Sequence, residues 1–333
     1  MKEIEREEKS SNLLRGLAED ISAYWVSSHE AIPILESPSA LDFSRAVNKY
    51  KPCILRGTIS HWNALNWSLD SIGKKCEQEE VSVNFTPSGN ADSVEYVPAR
   101  EEFCFVYPAD MRVKFSVFKG MLENRAEDDA VPYLSQQDDN LRRCFPSLLC
   151  DLEPSIPLAD EIFGGEKLEA VNLWIGDERS VTSIHKDFYE NMYAVLSGEK
   201  IFHLFPPTDV AFFEEGSYRP LHYRHSAEAE FSGRVPIKKS YLALCEECDY
   251  RGPSIPWIAD DPVSKAIPLT SPLTCSVLPG DILYIPAMWY HRVTQTKLTI
   301  AVNYWYDMNF DHRFVLYESA RRLKCLKGAH LAR

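Results

Sequence analysis

His185 and Asp187 stand two residues apart in the segment SIHKDFYEN. Residues i and i+2 of an extended chain point to one face, so an imidazole and a carboxylate at this spacing can converge on one point. Alone, the pair says little, because nine histidines among 49 acidic residues produce H-x-D by coincidence. His291, in PGDILYIPAMWYHRV, changes its meaning. A His-x-Asp followed by a distant His is the two-histidine, one-carboxylate facial set that holds non-haem Fe(II). Three protein ligands on one face of an octahedron leave room for a cosubstrate bound through two oxygens, and for dioxygen. Imidazole and carboxylate also suit Fe(II) better than the thiolates of zinc ribbons and iron–sulfur sites. His203, in EKIFHLF, is the one rival histidine, and its place is expected in the core or behind the ligands.

These residues need strands to carry them. From about residue 168 the chain reads as AVNLWIG, SVTSIHKD, NMYAVLSG, EKIFHLFPP, TCSVLPG, DILYIPAMWYHRV and LTIAVNYWY. The segments are rich in β-branched and aromatic residues and are broken by SG, PP and PG turns. Such a succession predicts a closed or double-sheet body of the jelly-roll kind. Between Thr208 and Ser271 the regularity lapses, which reads as a long insertion on one face. DHRFVLYESARRLKCLKG predicts a closing helix with Phe310, Phe314 and Tyr317 on one stripe.

The front of the chain is mixed. Leu14, Leu17, Ile21 and Trp25 recur at helical spacing, and Ser39 stands in capping position before ALDFSRAVNKY. CILRG, VSVNF and FCFVY read as short strands, residues 114–124 as a helix, and Glu127–Asn140 as a polar loop with VPYLSQQ as a short strand inside it. The expected architecture is mainly β with added helices: an extension over 1–150, a core over 151–310 with the insertion 208–271, and a C-terminal helix over 311–333.

Composition narrows the classes. Hydrophobic residues make up 45% of the 333, a core-forming share that excludes a mostly disordered chain. A net charge of −13 disfavours nucleic-acid binding. No apolar run approaches a membrane span, and MKEIEREEKSSN has no signal-peptide core. Nine cysteines scattered through apolar stretches suit a reducing compartment, cytosol or nucleus. Cys245 and Cys248 form one C-x-x-C with no second pair, which reads as incidental spacing.

The wording T-x-x-H-x-D-x-x-x-N, then SGEK, then PGD-x-x-Y-I-P-x-x-W-x-H and AVNYWYDM resembles the jumonji-C oxygenases. It does so in motif detail over about 170–310 and more loosely through KPCILRGTISHWNAL and NFTPSGNAD. The resemblance implies a double-stranded β-helix (jelly-roll, cupin-like) that uses Fe(II), 2-oxoglutarate and O2. Its metal ligands would be His185, Asp187 and His291, with no catalytic group beyond them. Lys200 would meet the distal carboxylate of 2-oxoglutarate, where by residue type alone it reads as a solvated strand end. Thr182 and Tyr133 would bind the same carboxylate, Asn191 and Asn303 would be amides near metal and cosubstrate, and Trp289 and Trp305 would wall the pocket. Asn303 is informative by itself, because an amide inside AVNYWY must find buried partners. Many 2-oxoglutarate enzymes carry an Arg shortly after the second His. Here only the adjacent Arg292, facing the other way, and Lys297 follow, which favours Lys200 as the grip.

The implied activity is hydroxylation of a lysine β-carbon in a protein substrate, a developmentally regulated GTP-binding protein. N-methyl-lysine or N-methyl-arginine demethylation by the same chemistry and a non-enzymatic cupin-like binding protein are the alternatives. Related hydroxylases pair through C-terminal helices, which implies a homodimer.

Overall fold

The computed structural model describes residues 2–27, 29–225, 237–245 and 252–328. Helix α1 (Lys2–Asp20) runs into a π-helical turn, and Leu14, Ala18 and Ile21 form its buried stripe. Strand β1 (Ile34–Glu36) precedes α2 (Ala40–Asn48). Ser39 caps α2: its hydroxyl accepts from the Asp42 backbone N–H while the Asp42 carboxylate accepts from that of Ser39. Next come β2 (Cys53–Arg56), α3 (Leu69–Cys76), β3 (Glu80–Thr86), β4 (Asn90–Ala91), β5 (Ser93–Val97), β6 (Glu102–Tyr107) and β7 (Ala109–Lys114). Helix α4 (Phe115–Glu123), β8 (Val131–Leu134), α5 (Asn140–Cys144) and α6 (Pro157–Phe163) complete this half.

The second half supplies β9 (Leu168–Gly176), β10 (Val181–Lys186), β11 (Tyr189–Ser197), β12 (Lys200–Phe205), β13 (Glu215–His225), β14 (Leu242–Cys245), β15 (Ile255–Ile258), β16 (Leu273–Val277), β17 (Asp281–Ile285), β18 (Tyr290–Gln295) and β19 (Thr299–Asp307), then α7 (His312–Gly328). Strands β17, β11, β19 and β9 lie side by side at the centre of a nine-stranded sheet, and β16, β12, β18 and β10 form the facing sheet. Their pairings are antiparallel. This is the double-stranded β-helix.

The central strands of the large sheet are buried on both faces, which explains their near-continuous apolar sequence. On β19, Ala301, Asn303 and Trp305 face the space between the sheets. Ile300, Val302, Tyr304 and Tyr306 pack into a second core with Phe43, Phe115 and Phe118 from the front of the chain. Strand β2 adds to β17, and Arg56 bonds Asp281 through two nitrogens at 2.8 and 3.0 Å across that pair. The N-terminal segments therefore extend the sheet whose other face holds the site.

In the polar run 127–140, the segment expected as a short strand is one: Val131–Leu134 is wholly buried and joined to β3 and β9. The polarity of the run belongs to its flanks. The insertion holds more order than its sequence predicts. Within 208–271, β13 runs eleven residues and pairs in parallel with β6 from the front of the chain. Strand β13 also pairs with β14 and β15. The residues of β13, EGSYRPLHYRH, do not alternate regularly between exposed and buried, so no period-two mark announces the strand, and its partner β6 lies far away in the sequence. Cys248 lies outside the described residues.

Candidate active site

Strands β10 and β18 place His185 directly across from His291, with ring centroids 4.2 Å apart. Asp187 follows just beyond the end of β10, where its carbonyl accepts the Met288 N–H at 2.7 Å. Asp187 Oδ2 lies 3.7 Å from His185 Nε2 and 3.6 Å from His291 Nε2. The three ligand-type atoms fall within 4.8 Å of one another.

These donors fit a divalent metal. His185 Nδ1 is bonded to the Ser183 carbonyl at 2.8 Å and His291 Nδ1 to that of Trp289 at 3.1 Å. Each Nδ1 therefore carries the proton, leaving each Nε2 lone pair turned toward Asp187. Burial, and then the neighbouring His185, push the His291 imidazole down to about 4, so it is the neutral ligand form near neutral pH. Asp187 Oδ2 is buried without a hydrogen-bond partner among the described residues, although two imidazoles converge on it. An ion shared by the three groups resolves that mismatch.

A second charge lies farther into the barrel. Lys200 opens β12 with its side chain fully inside, sharing a face with Phe202 two residues on. Burial pushes its ammonium down to about 7. It donates to the Tyr133 hydroxyl at 3.1 Å and sits 5.2 Å from the centre of that ring. The Tyr133 hydroxyl is bonded also to Thr182, which lines the cavity. A buried ammonium with only neutral neighbours is a site for a carboxylate.

Tyr133 reaches this position because β8 pairs it with Gly176. A Cβ at Gly176 would stand 2.6 Å from the Tyr133 ring and 2.7 Å from Ser180 Oγ. The glycine thus provides a close approach, which only the side-chain-free residue permits.

The cavity, about 330 Å³ with its open mouth, joins the triad to Thr182, Asn191, Asn303 and Trp305. Asn303 donates to Asn191 at 3.1 Å and accepts the Trp174 indole N–H at 2.8 Å, so this buried amide row is internally bonded. Trp305 walls the cavity and stacks on Tyr189. Trp289 does not wall it: it stands just before β18 begins at Tyr290, and its indole donates to the Tyr50 carbonyl in the core at 3.1 Å. His203 lies on the outer face of β12, paired across from Arg292, which binds Asp261 at 2.8 Å.

The sequence reading passed over Gln137, Trp174, Tyr193 and Phe202 as lining residues. Trp174, Tyr193 and Phe202 share strand faces with other core positions, so residue type alone could not separate wall from core. Only the even spacing of Tyr193 from Asn191, and of Phe202 from Lys200, marked them. Trp257 of β15 was also missed: it lies parallel to the His185 ring at 6.2 Å and donates to Ser183 Oγ at 3.2 Å.

Residues 38–312 match the family described as the cupin-like domain. A human protein named bifunctional peptidase and (3S)-lysyl hydroxylase JMJD7 is 37% identical over 297 residues, covering 86% of this chain and 88% of that protein. An Arabidopsis thaliana protein named lysine-specific demethylase JMJ32 is 35% identical, covering 86% and 84%. A Dictyostelium discoideum JmjC domain-containing protein E is 31% identical, covering 85% and 86%.

Proposed function

Since the chain belongs to the jumonji-C oxygenases of the cupin-like family, we propose that it hydroxylates a lysine side chain of a protein substrate at the β-carbon. The observation that carries the reading is the convergence of two imidazole Nε2 atoms on the orphaned Asp187 Oδ2, with an uncompensated Lys200 farther inside the same barrel. Fe(II), when held by His185, Asp187 and His291, supplies with 2-oxoglutarate and O2 the oxidising power for a C–H bond. The chain's own task is placement. Lys200 pairs with the distal carboxylate of 2-oxoglutarate, and the Tyr133 and Thr182 hydroxyls fix its direction. Asn191 and Asn303 offer a held amide pair beside the ligands, while Trp305, Phe202 and Val293 keep water from the wall.

The substrate in this reading is a developmentally regulated GTP-binding protein. The name of the human relative supports lysine hydroxylation, and the net charge of −13 is compatible with a lysine-bearing target. Mass spectrometry of such a GTPase after incubation with iron, 2-oxoglutarate and oxygen tests it: a gain of one oxygen on a lysine is expected, and an unmodified substrate beside a folded enzyme sinks it. Demethylation is the second reading, favoured by the name of the plant relative, and formaldehyde release from a methylated peptide would show it. A binding protein without turnover is separated by measuring whether 2-oxoglutarate is consumed. For the peptidase activity in the human relative's name, this sequence has no H-E-x-x-H motif.

The reading includes a cytosolic or nuclear location, supported by free thiols such as Cys53, Cys76 and Cys104. It also includes a homodimer through α7, supported by its exposed Val315 and Leu316, with sedimentation as the test.

A further inference from the structure

We propose that Asp92, with Trp257 as its aromatic wall, forms the subsite that receives the ammonium of the substrate lysine. The assignment rests on the lysine reading above and adds the group that selects for it.

Strand β4 pairs in parallel with β10, matching Asn90 with Val181 and Ala91 with Thr182. This lays Asp92 beside the strand that carries His185, and Ser183 fixes it there by donating its hydroxyl to the Asp92 carbonyl. The same Ser183 hydroxyl accepts the Trp257 indole N–H. One serine thus ties a carboxylate-bearing residue and an aromatic plane to the metal strand. Asp92 has φ +50°, a left-handed conformation that a non-glycine residue holds only when its surroundings impose it.

The Asp92 side chain is half-buried and has no hydrogen-bond or ion-pair partner among the described residues. It is within electrostatic reach of His185 but does not orient that ring, whose Nδ1 is taken by the Ser183 carbonyl and whose Nε2 faces Asp187. Nearby cations are engaged elsewhere: Arg292 binds Asp261, and Lys186 stands 3.9 Å from Glu215. A carboxylate so placed calls for a cation from outside the chain. A lysine side chain supplies one together with an aliphatic stem that packs on an indole face. Oxidation near the main chain also requires the ammonium to be held a side chain's length away, outside the ligand set. Asp92 stands outside the set His185, Asp187 and His291, yet within electrostatic reach of His185.

The test titrates two peptides onto the full chain loaded with Mn(II) and 2-oxoglutarate. One carries a single lysine from a developmentally regulated GTP-binding protein; the other has that lysine Nε-acetylated. The parent is expected to bind the lysine form about tenfold more tightly or better, the scale of a charge-assisted bond. Asp92→Asn should erase that preference by weakening the lysine peptide alone, with Mn(II) and 2-oxoglutarate affinities unchanged, and Asp92→Glu should keep part of it. A full preference surviving in Asp92→Asn overturns the subsite. A parent that hydroxylates the lysine peptide but binds both forms equally overturns the subsite and spares the lysine reading. A parent that binds neither peptide overturns both.

Discussion

Thr182 and His185 lie three residues apart on one strand, yet both line the same cavity. In a regular strand, odd spacing sends side chains to opposite faces. Here the register of β10 against β18 slips between Thr182 and His185, and this bulge returns both to the interior. It lets one strand present the proposed metal ligand and the proposed cosubstrate hydroxyl together. Replacing Thr182 by Val, which keeps the shape and removes the hydroxyl, is expected to weaken 2-oxoglutarate binding by about 1 kcal/mol. Mn(II) affinity should not change, and calorimetry with each ligand in turn checks both.

His185→Ala and Asp187→Ala should each abolish Mn(II) binding and turnover and leave the fold intact. Removing Asp187 also removes an orphaned buried oxygen, so this variant without metal is expected to be at least as stable as the parent without metal. Electron paramagnetic resonance titration and thermal melts without metal measure the two effects.

Lys200 gives a pH signature. Its native ammonium titrates at about 7 against an ordinary 10.5, so between those values the unfolded chain holds a proton that the native chain lacks. The stability of the ligand-free protein should therefore rise with pH across that window, with the burial cost fully present below about 7. Lys200→Met should flatten this rise, stabilise the ligand-free protein near neutral pH and lose 2-oxoglutarate affinity while keeping Mn(II). Above pH 7 the parent should take up a proton on binding 2-oxoglutarate. Calorimetry in buffers of different ionisation enthalpy would show it, and zero uptake would refute the pairing.

Gly176→Ala places a methyl group against the Tyr133 ring, which must move. A cost of about 1–3 kcal/mol in stability is expected from such overpacking. The distinguishing readout is weaker 2-oxoglutarate binding at unchanged Mn(II) affinity, because the hydroxyl that links Lys200 to Thr182 is displaced.

The sequence alone marked the proposed metal set and the strands that carry it. Ligand identity is written in residue type and short spacing, and a strand buried on both faces must be apolar throughout, as LTIAVNYWY and AVNLWIG are. It also marked the Ser39 cap, because capping is local. Only the tertiary structure decided which apolar residues face the cavity. Trp289 and Trp305 look alike in sequence, yet one donates to a core carbonyl and the other walls the site. Nor could local pattern show that Lys200 is buried without a carboxylate, that a bulge turns Thr182 inward, or that Asp92 and Trp257 reach Ser183 from distant strands. Those facts depend on register between strands far apart in the chain, which is set by long-range pairing and packing rather than by neighbouring residues.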